Sequence, residues 1–440
     1  MGNVASKWTS VGMATLLHFL VDGLCVCCLY LMVQPRAVDD LVGLFLVYNL
    51  LAFITQPLTG WWTDRLRQLH WALLLSIGLL TTAVVLLMGS TQWLQSSALC
   101  FWLVAILLGS GNSFFHVWGG KMTFLVAGND MRALGIFVST GAVGLVVGVI
   151  CATWWLAAVM LLVMVLTGAF AIRIPVTNTK RVQGKVFRLN TNRLQLPHSK
   201  EIWLIPILLF VLIRSFLGES IPSNIEKDST MLFLLAATAM VGKAGGGWVA
   251  RRWGVGTSLV ACVGVAVACM LWAITGTNRL VPVLIGVLFI NFTMPMTLYL
   301  ANHVLPGREG QAFGLLAAVL IPGYMLAHNS SLPFQVYFML AALLLTICVE
   351  LGMLQLMGET RRKVYVGSVI LNILTNIPLN LILFAVGSTI GSLLTGELLV
   401  LVLEAVGYYI LIHNWKQAFI YSLLCNVTSF LVGVLIQLMI

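Results

Sequence analysis

His18 and Asp22 lie four residues apart in an otherwise apolar stretch, so in a helix an imidazole and a carboxylate share one face. In hydrocarbon such a pair can hold and release a proton, because burial resists the carboxylate charge while imidazole exchanges protons near neutrality. The plainer alternative is a hydrogen-bonded pair that fixes helix contacts. Arg214 is a further intramembrane charge. It can close an ion pair with Asp22, or bind the anionic group of a solute. His116 and Lys243 complete the candidate set for substrate binding and proton coupling. Each has its own plain alternative: a satisfied core histidine for His116, a side chain snorkelling to the interface for Lys243. Lys121 is expected to snorkel, and Glu219 and Glu350, toward the ends of apolar runs, are expected at the interface. Two cations beside a single acid favour an anionic solute such as a phosphonate or carboxylate.

No nucleophile–base pair and no metal-ligand set converges in the sequence, so neither an enzyme, a cofactor nor a metal is expected. The nine cysteines all fall inside apolar segments and read as small hydrophobes. The net charge of +10 is segregated along the chain rather than interleaved with aromatics, which argues against a nucleic-acid partner.

The elements that must position these residues follow from composition. Hydrophobic residues make up 60% of the chain, charged residues 9%, and the mean hydropathy is +1.01. A soluble domain carries charge on about a quarter of its residues. Apolar runs of about 20 residues recur from end to end, and in lipid only helices satisfy their own backbone here. Splitting them at polar or Pro/Gly punctuation gives spans near 10–33, 41–63, 71–90, 98–120, 133–153, 155–172, 202–222, 230–250, 257–275, 281–303, 311–328, 333–357, 367–386, 390–412 and 418–440. The prediction is an all-α polytopic membrane protein of about 15 spans. The first run is as long as a full span, so a cleavable signal is not expected.

With the N-terminus inside, 19 of the 24 Lys and Arg fall in inner loops, three in outer loops and two within spans. Such asymmetry fixes the orientation and supports the span count, since one missed helix would invert every later loop. The inner loop 173–200 holds seven basic residues and no acid, as expected of a connector attracted to anionic lipid headgroups. Division therefore falls into 1–173, a six-helix half; 174–200, the connector; 201–357, a second half; and 358–440, a three-helix module.

Six-plus-six suggests duplication, and related strings occupy corresponding places. Gly60-Trp61-Trp62-Thr63-Asp64-Arg65-Leu66-Arg67 follows the second span, and Gly247-Trp248-Val249-Ala250-Arg251-Arg252 follows the eighth. Arg132-Ala133-Leu134-Gly135 opens the fifth span, and Gln311-Ala312-Phe313-Gly314 the eleventh. Gly60, Asp64, Arg65 and Arg67 resemble the loop motif of the major facilitator superfamily, whose acid and arginines form a charge latch that holds one conformation closed. The second copy departs from that pattern, with Arg251 where the acid would stand. Its latch is expected to be weaker or differently paired.

His18-Phe19-Leu20-Val21-Asp22, Phe115-His116, Ile213-Arg214-Ser215 and Leu305 to Leu315 are similar to the fosmidomycin-resistance-like branch. This resemblance implies a 6+6 pseudo-symmetric bundle, alternating access and proton-coupled efflux of a small anionic or drug-like compound. The antiporter proline of the fifth helix is absent from Thr140-Gly141-Ala142-Val143-Gly144. An importer or uniporter of a small metabolite therefore stays open, as does a non-transporting sensor or scaffold. The expected partners are a small molecule, protons and lipid, for a monomer in a bacterial cytoplasmic membrane.

Residues 358–440 lie outside the resemblance. Asn372, Asn376 and Asn380 recur every fourth residue, Glu397 and Glu404 are seven apart, and Asn426 continues the pattern. This polar seam must face a bundle interior. It is expected as helix glue, with a second ion or solute site as the sharper alternative.

Overall fold

The computed structural model of the chain describes residues 2–33, 44–45, 47–89, 98–128, 130–173, 203–275, 279–328, 350, 353–354, 357, 359, 361, 363–365, 367–368, 371–372, 374–375, 379 and 390–439. Among these, the regular structure is helical throughout. The chain divides into two compact units, Met1–Val186 with Phe210–His328, and Phe187–Leu209 with Asn329–Ile440.

The first unit holds α1 (Gly2–Val33), a single π turn (Leu50–Ile54) leading into α2 (Gln56–Thr63), α3 (His70–Gly89), α4 (Ala98–Ala127), α5 (Met131–Ser139), α6 (Gly141–Ile150) and α7 (Trp154–Ala171). It continues through most of α8 (Leu204–Ser220), then α9 (Ser229–Trp253), α10 (Val255–Thr275), α11 (Leu280–Phe292), α12 (Met294–Val304), α13 (Glu309–Ala318) and α14 (Leu320–His328). The second unit contains α15 (Ile390–Ile412) and α16 (Trp415–Met439). Eight helices among the described residues are long and apolar enough to cross a membrane. The other expected spans fall on helices that are shorter, broken or only partly described.

Helix starts are set by side chains that satisfy orphan amides. Asp130 caps α5 by accepting from Arg132 N, Thr153 caps α7 through Leu156 N, and Asp228 caps α9 through Met231 N. No side chain of its own caps α13, where Arg308 stands at the cap position.

Pairing of helices rests on glycine. Gly144 of α6 meets the backbone of Phe19, and Gly148 that of Gly23, so α1 and α6 approach with no side chain between them. The repeat seen in the sequence reappears as paired contacts. A methyl group on Gly60 would strike the backbone of Gly310, and one on Gly247 that of Met131. One on Gly314 would strike Gln56, and one on Gly135 would strike Lys243. Gly60 with Gly310 corresponds to Gly247 with Met131, and Gly314 with Gln56 to Gly135 with Lys243, so equivalent positions of the two copies meet through two equivalent seams.

Candidate functional site

At the centre of the first half, α1 and α4 bring two sequence-separated pairs together. Asp22 Oδ2 lies 3.2 Å from His18 Nε2, and Asp22 Oδ1 lies 2.9 Å from His116 Nε2. Asn112, one turn before His116, donates from Nδ2 to Asp22 Oδ1 at 3.0 Å and to the Tyr48 hydroxyl at 3.1 Å. All three ionisable side chains are buried. His18 stacks on Phe137 with ring centroids 5.0 Å apart and meets His116 edge-on at 4.7 Å. Gly141 closes the site from α6, since a methyl group there would lie on Asp22 and His18.

The partners of His18 constrain where its hydrogens can sit. Its Nδ1 is 2.7 Å from the carbonyl oxygen of Phe137, which can only accept, so Nδ1 carries a hydrogen. A hydrogen bond from Nε2 to Asp22 then needs a second hydrogen, which only imidazolium has. With neutral His18 the same contact sets a nitrogen lone pair against a carboxylate oxygen. Two imidazoles from α1 and α4 thus converge on one buried carboxylate. The three ligand atoms also lie within 4.8 Å of one another, and two imidazoles with one carboxylate could hold a divalent transition metal. That possibility was not visible in the sequence, where no metal is expected.

Arg214 does not pair with Asp22, whose oxygens are taken by His18, His116 and Asn112. Arg214 is buried, 7% exposed, and its Nε has no hydrogen-bond partner. Lys243 on α9 is half-buried and within electrostatic range of Arg214, Asp22 and Glu219. His116 in turn lies within range of Lys243. The His18–Asp22–His116 trio and two basic side chains thus share one electrostatic neighbourhood, and Glu219 is half-buried at its margin.

The latch forms with different partners from those expected. Asp64 Oδ1 accepts from Gly310 N at 2.9 Å and from Lys121 Nζ at 3.0 Å, and Oδ2 accepts from Gln311 N at 2.9 Å. Asp64 therefore caps α13 from across the repeat, supplying what that helix lacks. Arg65 instead lies exposed over the Trp61 ring, 3.5 Å from its centroid, and Arg67 is exposed. Arginines that follow the helix end point to water, whereas Lys121, expected to snorkel, is 8% exposed and closes the pair from α4. In the second copy, Arg251 cannot cap α5, and Asp130 does so from within its own chain segment. Lys7 Nζ and Arg132 complete that cluster at 2.9 and 2.8 Å. Burial opposes ionisation of Asp130, but hydrogen bonds from Arg132 and Lys7 overcome it and bring its carboxyl down from 3.8 to about 2.

In the second unit, Asn372, Glu404 and Asn426 are buried, Glu397 is half-buried, and Asn376 and Asn380 lie outside the described residues. Glu350, expected at an interface, is 0% exposed and bonds to Asn372, because the chain packs Leu354 beside it against Tyr408 and Cys425.

Sequence reasoning did not single out Asn112 or Gly141 beside Asp22, nor pair Lys121 with Asp64. The spacing of Asn112 and His116, four residues as in His18 and Asp22, was the available signal.

Residues 28–328 match the profile of the Major Facilitator Superfamily, and the chain belongs to that superfamily of transporters. It is a multi-pass membrane transporter and not an enzyme. A curated relative, the fosmidomycin resistance protein of Escherichia coli (strain K12), is 24% identical over 309 residues, 61% of this chain and 71% of that protein. The crystal structure of the fucose:proton symporter of E. coli is similar with a TM-score of 0.54 at 12% identity, over 77% of this chain and 93% of that one. A structure of the superfamily transporter FucP in the outward conformation also gives 0.54 at 12% identity, over 73% and 91% of the two chains. At that identity the likeness is one of fold.

Proposed function

We propose that the chain is a proton-coupled exporter of a small anionic compound across the cytoplasmic membrane. The proton rides on His18, Asp22 and His116, while Arg214 and Lys243 receive the anion. The observation that carries this reading is Arg214, a buried guanidinium whose Nε has no hydrogen-bond partner and which forms no ion pair among the described residues. In a low-dielectric interior such a charge calls for a counter-anion, and a planar fork of donors suits a phosphonate or carboxylate. The name of the E. coli relative, a fosmidomycin resistance protein, supports a drug-like compound as cargo.

With the N-terminus inside, the end that Asp64 closes is the cytoplasmic one, and on this reading the molecule exchanges with the outside in this conformation. In that state the proton site loads from outside. After return to the inward state the proton leaves to the cytoplasm and the anion binds at Arg214 and Lys243, so that proton and anion cross in opposite directions.

Inside-out vesicles test the direction and coupling together. With an imposed pH gradient, acid inside, they should accumulate fosmidomycin but not a permanent organic cation. Collapse of the gradient should abolish accumulation. Accumulation of the cation, or uptake of the anion independent of the gradient, would refute the proposal. Accumulation only with the opposite gradient would make the chain an importer.

A further inference from the structure

The four expected spans from 333 to 440 contain Glu350, Glu397 and Glu404 and no lysine, arginine or histidine. Two of the three acids meet in the second unit. Glu350 and Glu404 are each 0% exposed. Asn372 donates from Nδ2 to Glu350 Oε2 at 2.6 Å, with the Ser368 hydroxyl at 3.3 Å and that of Tyr408 at 3.5 Å. Asn426 donates from Nδ2 to Glu404 Oε2 at 2.7 Å, and the Thr375 hydroxyl donates to Oε1 at 2.9 Å. Tyr408 follows Glu404 by one helical turn, so α15 carries both a carboxylate and a hydroxyl that reaches the other carboxylate.

Among the described residues, every hydrogen-bond partner of these two carboxylates is neutral. Oε1 of Glu350 has none at all. The other titratable groups facing the pair are Tyr408 and Glu397 on α15 and Cys425 on α16, whose thiol donates to the Glu350 carbonyl at 3.8 Å. Among the described residues, none of the groups facing the pair can supply positive charge. The guanidinium nearest in sequence, Arg361, is committed to Glu359 at 2.7 Å. Two bare carboxylates cannot both stay ionised in such surroundings, since each loses its hydration and repels the other.

Something must neutralise them, and the donors decide what. A metal cation needs a ring of oxygen acceptors. Here amide and hydroxyl hydrogens are turned toward the carboxylates, and one oxygen is left bare. We propose that the second unit carries a proton-binding site of its own, in which Glu350 and Glu404 reversibly hold a proton. This site stands apart from the reading of residues 28–328 and does not depend on it. Each loading or release changes the charge buried in the seam by one, which makes the tail more than inert glue.

The test is infrared spectroscopy of the full chain in liposomes, comparing wild type with Glu350→Gln and Glu404→Gln. A protonated carboxylic acid gives a carbonyl band that shifts in heavy water. Wild type should show that band at pH 7, weaker by about tenfold for each pH unit beyond its titration. The Glu350→Gln difference spectrum should lack it, and replacing choline with sodium at constant pH should leave it unchanged. Glutamine mimics a neutral acid in shape, so the variants should melt as wild type does at pH 7. Carbodiimide, which adds across a protonated acid without a leaving group, should label a Glu350 or Glu404 peptide. Three results would overturn the proposal: identical wild-type and variant spectra at pH 7, loss of the band on adding sodium, or labelling confined to Glu397.

Discussion

Replacing Asp64 with asparagine isolates the part of the latch that crosses the repeat. Asp64 sits at the C-terminal end of α2, where the helix dipole disfavours an anion, and facing the N-terminal end of α13, where the dipole favours one. Of its three donors, Lys121 belongs to the same half and can stay paired when the halves part. Only the amides of Gly310 and Gln311 are specific to closure. Hydrogen bonds to a charged group contribute about 1.5–3 kcal/mol each. Asparagine keeps one neutral acceptor and turns an amide against the other donor. The closed state should therefore lose about 3 kcal/mol relative to the open one, roughly a hundredfold in the equilibrium. Spin labels at Gln68 and Pro306, both exposed, report that equilibrium by double electron–electron resonance. The short-distance population of the parent should give way to a longer one in Asp64→Asn. An unchanged distribution would refute the assignment of Asp64 as a cap that holds the gate.

Further outcomes follow from the same geometry. Gly314→Ala sets a methyl against the Gln56 backbone and should shift the same label pair outward, whereas Gly78→Ala, with open space around it, should not. Gly141→Ala should uncouple transport from the pH gradient as severely as Asp22→Asn, because its methyl invades the His18–Asp22 contact; retained coupling in vesicles would exclude that contact from the proton path. Asp130 has a folded-state carboxyl held below its ordinary value, so its contribution is present above about pH 4 and lost as pH falls through about 2. The melting-temperature gap between wild type and Asp130→Ala should accordingly be constant at neutral pH and close on acidification.

Local spacing made part of this legible. Four-residue intervals placed His18 with Asp22 because a helix enforces that proximity by itself. The repeat was legible because glycine is needed wherever backbones touch, and the touching pairs repeat with the copies. What needed tertiary structure was choice among partners. Asp22 took His116 and Asn112 from α4 rather than Arg214, since two short side chains one turn apart fill its coordination before a long one can reach. Lys121 has the length to reach water, and an acid near the span end captured it instead. Glu350 was misplaced for a similar reason: position within a span says nothing of which neighbours close over it.

The unlike caps of α5 and α13 have a consequence for how the molecule keeps time. Asp130 travels with the helix it caps, so the start of α5 stays saturated however the halves lean. The start of α13 is covered only while Asp64 is docked. The two helix starts descend from the same repeated string, yet only that of α13 depends on a residue from the other copy. Amide exchange at Gly310 and Gln311 should run in step with turnover, like the tick of an escapement, while the amide of Arg132 keeps silent throughout.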